Sequence, residues 1–269
     1  MPKLVSGDVT VNGVKLHYYR TGGDRAPIVL VHGITDNGLC WRHLAEVLQE
    51  TYDVIMYDAR GHGLSENAPP DFTWESHAAD LAGLIAALEL DQPIIMGHSM
   101  GASNAALAAG AYPNLARALI LEDPPWGDQF LAEDRLAGIE QWKADIRAQQ
   151  AEQVEKLAIF APDDHPRWGD VDWGVWAKSK HQVNPDVAEW MRSDMPFVGW
   201  RDMIPKISCP ILLITGNPVL EALVTPEVAQ EVAALSDRVE VARIDAGHSI
   251  RREQFEEYAA VVGRFLRFL

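Results

Sequence analysis

The stretch from Pro93 to Ala111, PIIMGHSMGASNAALAAGA, decides the fold. A short apolar run, a serine between two glycines and a series of small helix formers predict strand, tight turn and helix, with Ser99 at the apex. Gly97 and Gly101 suit such a corner, because neighbouring backbone can close in only where side chains are missing. The helix behind Ser99 would offer unpaired N–H groups and the positive end of its dipole to a developing oxyanion. The geometry suits a nucleophile, although five residues alone also fit a Gly-Ser-Gly turn without chemistry.

Working outward, Val9-Thr10-Val11 and Val14 to Tyr19 flank Asn12-Gly13, which reads as a β-hairpin at a sheet edge. Ile28 to Val31 and Val54 to Tyr57 are continuous apolar runs, as expected of strands buried on both faces. A helix is expected from Trp41 to Leu48, and another after Thr73 as N-cap, with Ala78, Leu81, Leu84, Ile85 and Leu88 on its apolar face. After the elbow helix come the strand Ala118 to Leu121 and then Glu122-Asp123. Strands alternating with helices imply a parallel, doubly covered sheet.

Between Pro124 and about Pro205 no buried β-run occurs, and the segment holds seven of the nine tryptophans. This reads as a helical cap, with one or two helices over 131–154, others over Asp172 to Lys180 and Asp186 to Met195, and Pro162, Pro166, Pro185 and Pro196 at the joints. The sheet resumes at Ile211 to Thr215, followed by a helix after Thr225, the strand Val239 to Ile244 and a last amphipathic helix from Glu253 to Phe268. The expected division is a core of residues 1–123 and 206–269 with a cap of 124–205.

A formal charge of −16, from 23 basic and 39 acidic residues, argues against nucleic acid or an anionic membrane as partner. No stretch approaches the roughly 20 apolar residues of a membrane span, and the first residues lack a secretory apolar core, so a cytoplasmic protein is expected. Cys40 and Cys209 stand far apart with no metal-ligand spacing, and no metal or cofactor is called for. Whether the chain forms a homo-oligomer is left open.

Three more motifs appear in order: His32-Gly33-Ile34 after a strand, Asp58-Ala59-Arg60-Gly61-His62-Gly63-Leu64-Ser65 after another, and Ala246-Gly247-His248-Ser249 near the end. Together with the elbow, they resemble the α/β-hydrolase family over nearly the whole chain, especially cofactor-free serine esterases and lactonases with a helical cap. The resemblance implies an α/β-hydrolase fold with a mostly parallel sheet and the cap inserted after the strand that follows the elbow helix. It makes Ser99 the nucleophile and His248 the base, since a serine hydroxyl needs an adjacent imidazole held in one tautomer. It also places the oxyanion hole at the N–H groups of Ile34 and Met100, and reads His32, His62 and His98 as turn-shaping residues. Asp58 and Arg60 are expected to pin their loop.

The acid needs more argument. The family's usual slot, three residues past a glycine, is here Val219, which cannot orient an imidazole. Some relatives take the acid from the strand end after the elbow helix, which implies Asp123. Side chains alternate along a strand, so only one of Glu122 and Asp123 can face the histidine. Glu122 and Glu221 remain as alternatives. Of the cap tryptophans, Trp126 and Trp176 are candidates for lining an apolar pocket.

The resulting expectation is a serine hydrolase of a carboxylic ester or lactone, with a fairly apolar small molecule as substrate. Carbon–carbon bond hydrolysis or perhydrolase chemistry would use the same triad, and a hydrolase-fold receptor with little turnover is the rival from outside enzymes. Basic residues of the cap, such as Lys178, Lys180 and Arg201, are scattered among acids and suggest no cluster for a substrate carboxylate.

Overall fold

The computed structural model describes residues 4–67, 73–127, 135–169, 171–191 and 199–269. Asn12 and Gly13 take φ values of 49° and 75°, as a two-residue hairpin turn demands. They join β1 (Val5–Val11) to β2 (Val14–Arg20) in antiparallel register, with Val11 opposite Val14. The remaining strands are β3 (Pro27–Val31), β4 (Asp53–Tyr57), β5 (Ile94–His98), β6 (Ala118–Glu122), β7 (Ile211–Thr215) and β8 (Val239–Arg243). They complete one eight-stranded sheet in the order β1-β2-β4-β3-β5-β6-β7-β8. All pairings from β4 to β8 are parallel, and β2 joins β4 antiparallel.

Alternation along the strands divides the core into two layers. Val29 and Val31 of β3 join the layer covered by α2 (Trp74–Ala87) and α3 (Met100–Ala111), whereas Ile28 and Leu30 pack with α1 (Arg42–Leu48) and α10 (Phe255–Leu266). Thr73 caps α2, as expected, and does so in a reciprocal capping box in which Ser76 stands at the third helical position. The chain leaves β3 for β4 on one side and returns for β5 on the other. At such a switch point the loops beyond the strand ends part and leave a crevice. The ends of β3 and β5, which are Gly33-Ile34 and Ser99, flank it.

Between β6 and β7 the described residues form α4 (Arg135–Ala151), α5 (Val154–Asp164), α6 (Trp173–Gln182), a 3-10 turn at Pro185–Met191 and α7 (Trp200–Met203), with no strand among them. Asp172 caps α6 by accepting from Val175 N. The separate helix α5 was not foreseen, and Pro162 lies inside it rather than at a joint. Of the helix expected over 131–154, residues 131–134 lie outside the described residues, as do 192–195 of the one expected up to Met195, and Pro196 among the joints. α7 packs into the core, since Trp200, Met203 and Ile204 belong to the α2–α3 layer.

The last helix also differs from expectation. After α8 (Pro226–Leu235) and β8, a single turn α9 (Ile250–Glu253) precedes α10, and Gln254 breaks the two apart with φ −136° and ψ 57°. Glu253 is held elsewhere, by the N–H of Gly247 and the guanidinium of Arg167, which keeps α9 with the loop before it.

Candidate active site

Ser99 sits at φ 54° and ψ −119°, between β5 and α3. A non-glycine residue there costs about 1–3 kcal/mol and persists only when its surroundings hold it. Here the Ser99 N–H donates to Glu122 O at 2.8 Å, and its carbonyl accepts from Ala102 and Ser103. The flanking glycines are required by contact. A Cβ on Gly97 would lie 2.3 Å from Gly101 O, and one on Gly101 would lie 2.1 Å from Val31 O.

His248 lies in the loop between β8 and α9, and its Nδ1 is 2.7 Å from Asp123 Oδ2. A carboxylate accepts, so Nδ1 carries the proton and Nε2 is left as the basic nitrogen. Asp123, fully buried at φ 43°, is fixed by the N–H of Leu223 at 2.8 Å and of Val224 at 3.0 Å. Glu122 points the other way, to the N–H and guanidinium of Arg251. Glu221 is exposed at the end of a 3-10 turn, and Val219 in the family's usual slot is 87 % exposed. Of the three candidate acids, the structure brings only Asp123 to the imidazole.

The peptide that carries the Ile34 N–H is held by its other end. Gly33 O accepts from His32 Nδ1 at 2.8 Å and from Asp36 N at 3.0 Å. His32 Nε2 in turn accepts from Ala59 N, which fixes the tautomer. Burial pushes the His32 pKa down to about 3, so the ring stays neutral and keeps that arrangement. Among the described residues no hydrogen bond uses the N–H of Ile34 or Met100. Asp58 ties loops as expected, accepting from Gly38 N and Leu64 N, while Arg60 forms a buried bidentate pair with Asp80.

Ser99, His248, Gly33 and Ile34 all line one cavity of about 370 Å³. Trp142 and Ile146 of α4, Trp168, and Trp176 of α6 also line it. Trp126 does not line it, contrary to expectation. Its ring is buried in the core, stacked on Trp200 at 5.6 Å, and its Nε1 donates to Ser103 Oγ on α3. A buried indole needs an acceptor for its N–H, and Ser103 supplies it on the core side.

One part of the site escaped the sequence reading. Asp36, beside the Gly33-Ile34 loop, is buried among Lys180, Arg251 and Arg252, at 3.3, 3.2 and 2.9 Å. Burial alone would raise its carboxyl, but Arg252, Lys180 and Arg251 hold it well below the usual carboxylate range. Lys180 and Arg252 line the cavity. The available signal was Arg251-Arg252, directly after the Gly-His-Ser loop. Among the described residues no group of three or more His, Cys, Asp or Glu side chains could hold a metal ion, and no helix is long and apolar enough to cross a membrane.

A switch-point crevice, a serine elbow and an aspartate-bound histidine on a mostly parallel sheet define a hydrolase fold. The chain belongs to the alpha/beta hydrolase family, whose profile matches residues 28–261. It is 29% identical over 272 aligned residues, covering 98% of this chain and 97% of the relative, to the N-formylmaleamate deformylase of Pseudomonas putida KT2440. The N-formylmaleamic acid deformylase structure from Pseudomonas putida S16 superposes with a TM-score of 0.81 over 96% of this chain and all of that one, at 24% identity, a likeness of fold. A thermophilic esterase from Thermogutta terrifontis superposes with a TM-score of 0.77 over 98% of each chain, at 25% identity.

Proposed function

We propose that this hydrolase cleaves an acyl bond of a small molecule through a covalent acyl-enzyme on Ser99. The observation that carries the reading is the fixed Asp123–His248 pair opening into the same cavity as a strained elbow serine. Ser99 Oγ attacks the carbonyl carbon and His248 Nε2 takes its proton, while Asp123 holds the ring and stabilises the imidazolium. The N–H groups of Ile34 and Met100 receive the oxyanion. Collapse breaks the bond to the leaving group, which departs with the proton from His248. Water then gives a proton to His248 and its oxygen to the acyl carbon, and Ser99 leaves reprotonated.

The bond is that of a carboxylic ester or lactone, a reading supported by the likeness to the esterase. A linear amide such as an N-formyl group is the second reading, favoured by the deformylase relative. We take α4 to α6 as the lid over the bound molecule. The test is burst kinetics with a p-nitrophenyl ester beside formate release from an N-formyl amide. A burst that Ser99→Ala abolishes is expected; steady turnover unaffected by Ser99→Ala would refute the reading.

A further inference from the structure

Among the cations around Asp36, Arg252 stands apart in how its donors are used. Lys180 Nζ has three protons and three acceptors, Thr35 O at 2.7 Å, Thr35 Oγ1 at 2.9 Å and Asp36 Oδ1 at 3.3 Å. Arg251 gives Nη1 to Glu122 and Nη2 to Asp36, its guanidinium lies over the ring of Trp41, and it does not line the Ser99 cavity. Arg252 gives only Nη2 to Asp36, and its guanidinium lies over Trp168 at 4.6 Å. Its Nε and Nη1 have no protein partner among the described residues, and neither is sealed from solvent as a buried orphan would be. Arg252 lines the cavity that holds Ser99, and it also borders a smaller pocket beside Trp41.

The surroundings set the sign of what would dock there. Three cations, Lys180, Arg251 and Arg252, face two carboxylates, Asp36 and Glu122, which leaves a local excess of one positive charge. Asp145 also lines the cavity, but it is exposed and accepts from Gln141 Nε2, so water screens it. A guanidinium stacked on an indole and tied at one edge is pre-organised, and a carboxylate matches its remaining donors.

We infer that the substrate carries a carboxylate, and that Arg252 binds it through Nε and Nη1 while the acyl carbon sits at Ser99. Arg252 is thus a specificity-determining residue, and the substrate is an anionic acyl compound rather than simply the fairly apolar one expected from the sequence. The inference rests on the serine-hydrolase reading for the position of the acyl group, but the arginine contact can be measured without turnover.

Two measurements test it. The first compares kcat/KM for p-nitrophenyl hydrogen adipate with that for p-nitrophenyl heptanoate, which replaces the charged end by an alkyl one. The ratio of charged to uncharged ester should fall about 10- to 100-fold in Arg252→Gln, as expected for loss of a charge-assisted hydrogen bond, and Arg252→Lys should keep part of it. An unchanged ratio overturns the inference. The second titrates glutarate into Ser99→Ala by calorimetry, with and without Arg252→Gln. Binding that Arg252→Gln abolishes supports the carboxylate site even if no ester is turned over; no binding to Ser99→Ala, or equal binding to both variants, overturns it.

Discussion

The ring of His98 donates from Nε2 to the backbone carbonyl of His248 at 3.0 Å, and the two rings lie 4.7 Å apart. A carbonyl only accepts, so the His98 proton is on Nε2 and Nδ1 is bare. That nitrogen is buried without a partner and faces Gly33, where a Cβ would stand 2.8 Å from it. His98, the residue before Ser99, therefore props the loop that carries His248. His98→Phe should lower kcat on a p-nitrophenyl ester about 10-fold and shift its pH profile, with His98→Gln, which keeps an N–H donor, restoring part. An unaltered kcat and profile in His98→Phe would refute this positioning role.

Asp123 and Glu122 are neighbours on one strand end with opposite duties. Asp123→Asn should reduce kcat on the order of 10³- to 10⁴-fold by undoing the imidazole tautomer. Glu122→Gln leaves the buried Arg251 short of a counter-charge, so its effect should appear in the denaturation midpoint. Ester hydrolysis and urea unfolding of both variants separate the two roles.

Gly101 meets the backbone of β3, which cannot yield as a side chain does. Gly101→Ala should therefore cost about 3 kcal/mol or more. Urea unfolding measures it, and a loss below about 1 kcal/mol would mean that α3 can lift away from the sheet.

Buried histidines set the acid limb of stability. Burial lowers the pKa of His32, His62, His77 and His98 below the unfolded value of about 6.5. The unfolded chain thus binds these protons first on acidification. Their contribution is complete above pH about 6.5 and declines as pH falls, by about 1.4 kcal/mol per pH unit for each ring. Unfolding free energy between pH 7 and 5 should fall steeply in the wild type and less steeply in His77→Gln. A flat profile would contradict the assignment.

The two tryptophans named from the sequence should now separate. Trp176→Ala removes a cavity wall and should change kcat/KM with the size of the acyl group. Trp126→Phe should act on melting temperature, through the lost bond to Ser103 and the packing on Trp200, with the acyl-size preference kept. An altered preference in Trp126→Phe would return that residue to the pocket.

These contrasts follow from what a linear pattern can carry. The elbow, the hairpin turn and the buried strands were legible because each is decided by neighbours in the chain: Gly97 and Gly101 around Ser99, Asn12 beside Gly13. That only one of Glu122 and Asp123 could face the histidine was legible through strand alternation, while the preference for Asp123 came from the resemblance in motif order. Trp126 was misread because tryptophans in the segment between β6 and β7 look alike, and its acceptor Ser103 belongs to α3. Arg252 was missed because its meaning depends on Asp36, distant in sequence, and on Trp168 from another element. A pair of arginines opening a helix otherwise resembles any solvated turn.

The interruption at Gln254 has a consequence for how this chain can evolve. It leaves Arg251 and Arg252 on one turn, tethered to the Gly-His-Ser loop on one side and set off by a break in the helical backbone from the long terminal helix on the other. A codon change at 252 would alter the charge an incoming molecule meets, while Ser99, His248 and the terminal helix keep their places. Preference and reactivity are therefore separately heritable, and a lineage can trade acidic substrates for neutral ones without rebuilding its chemistry.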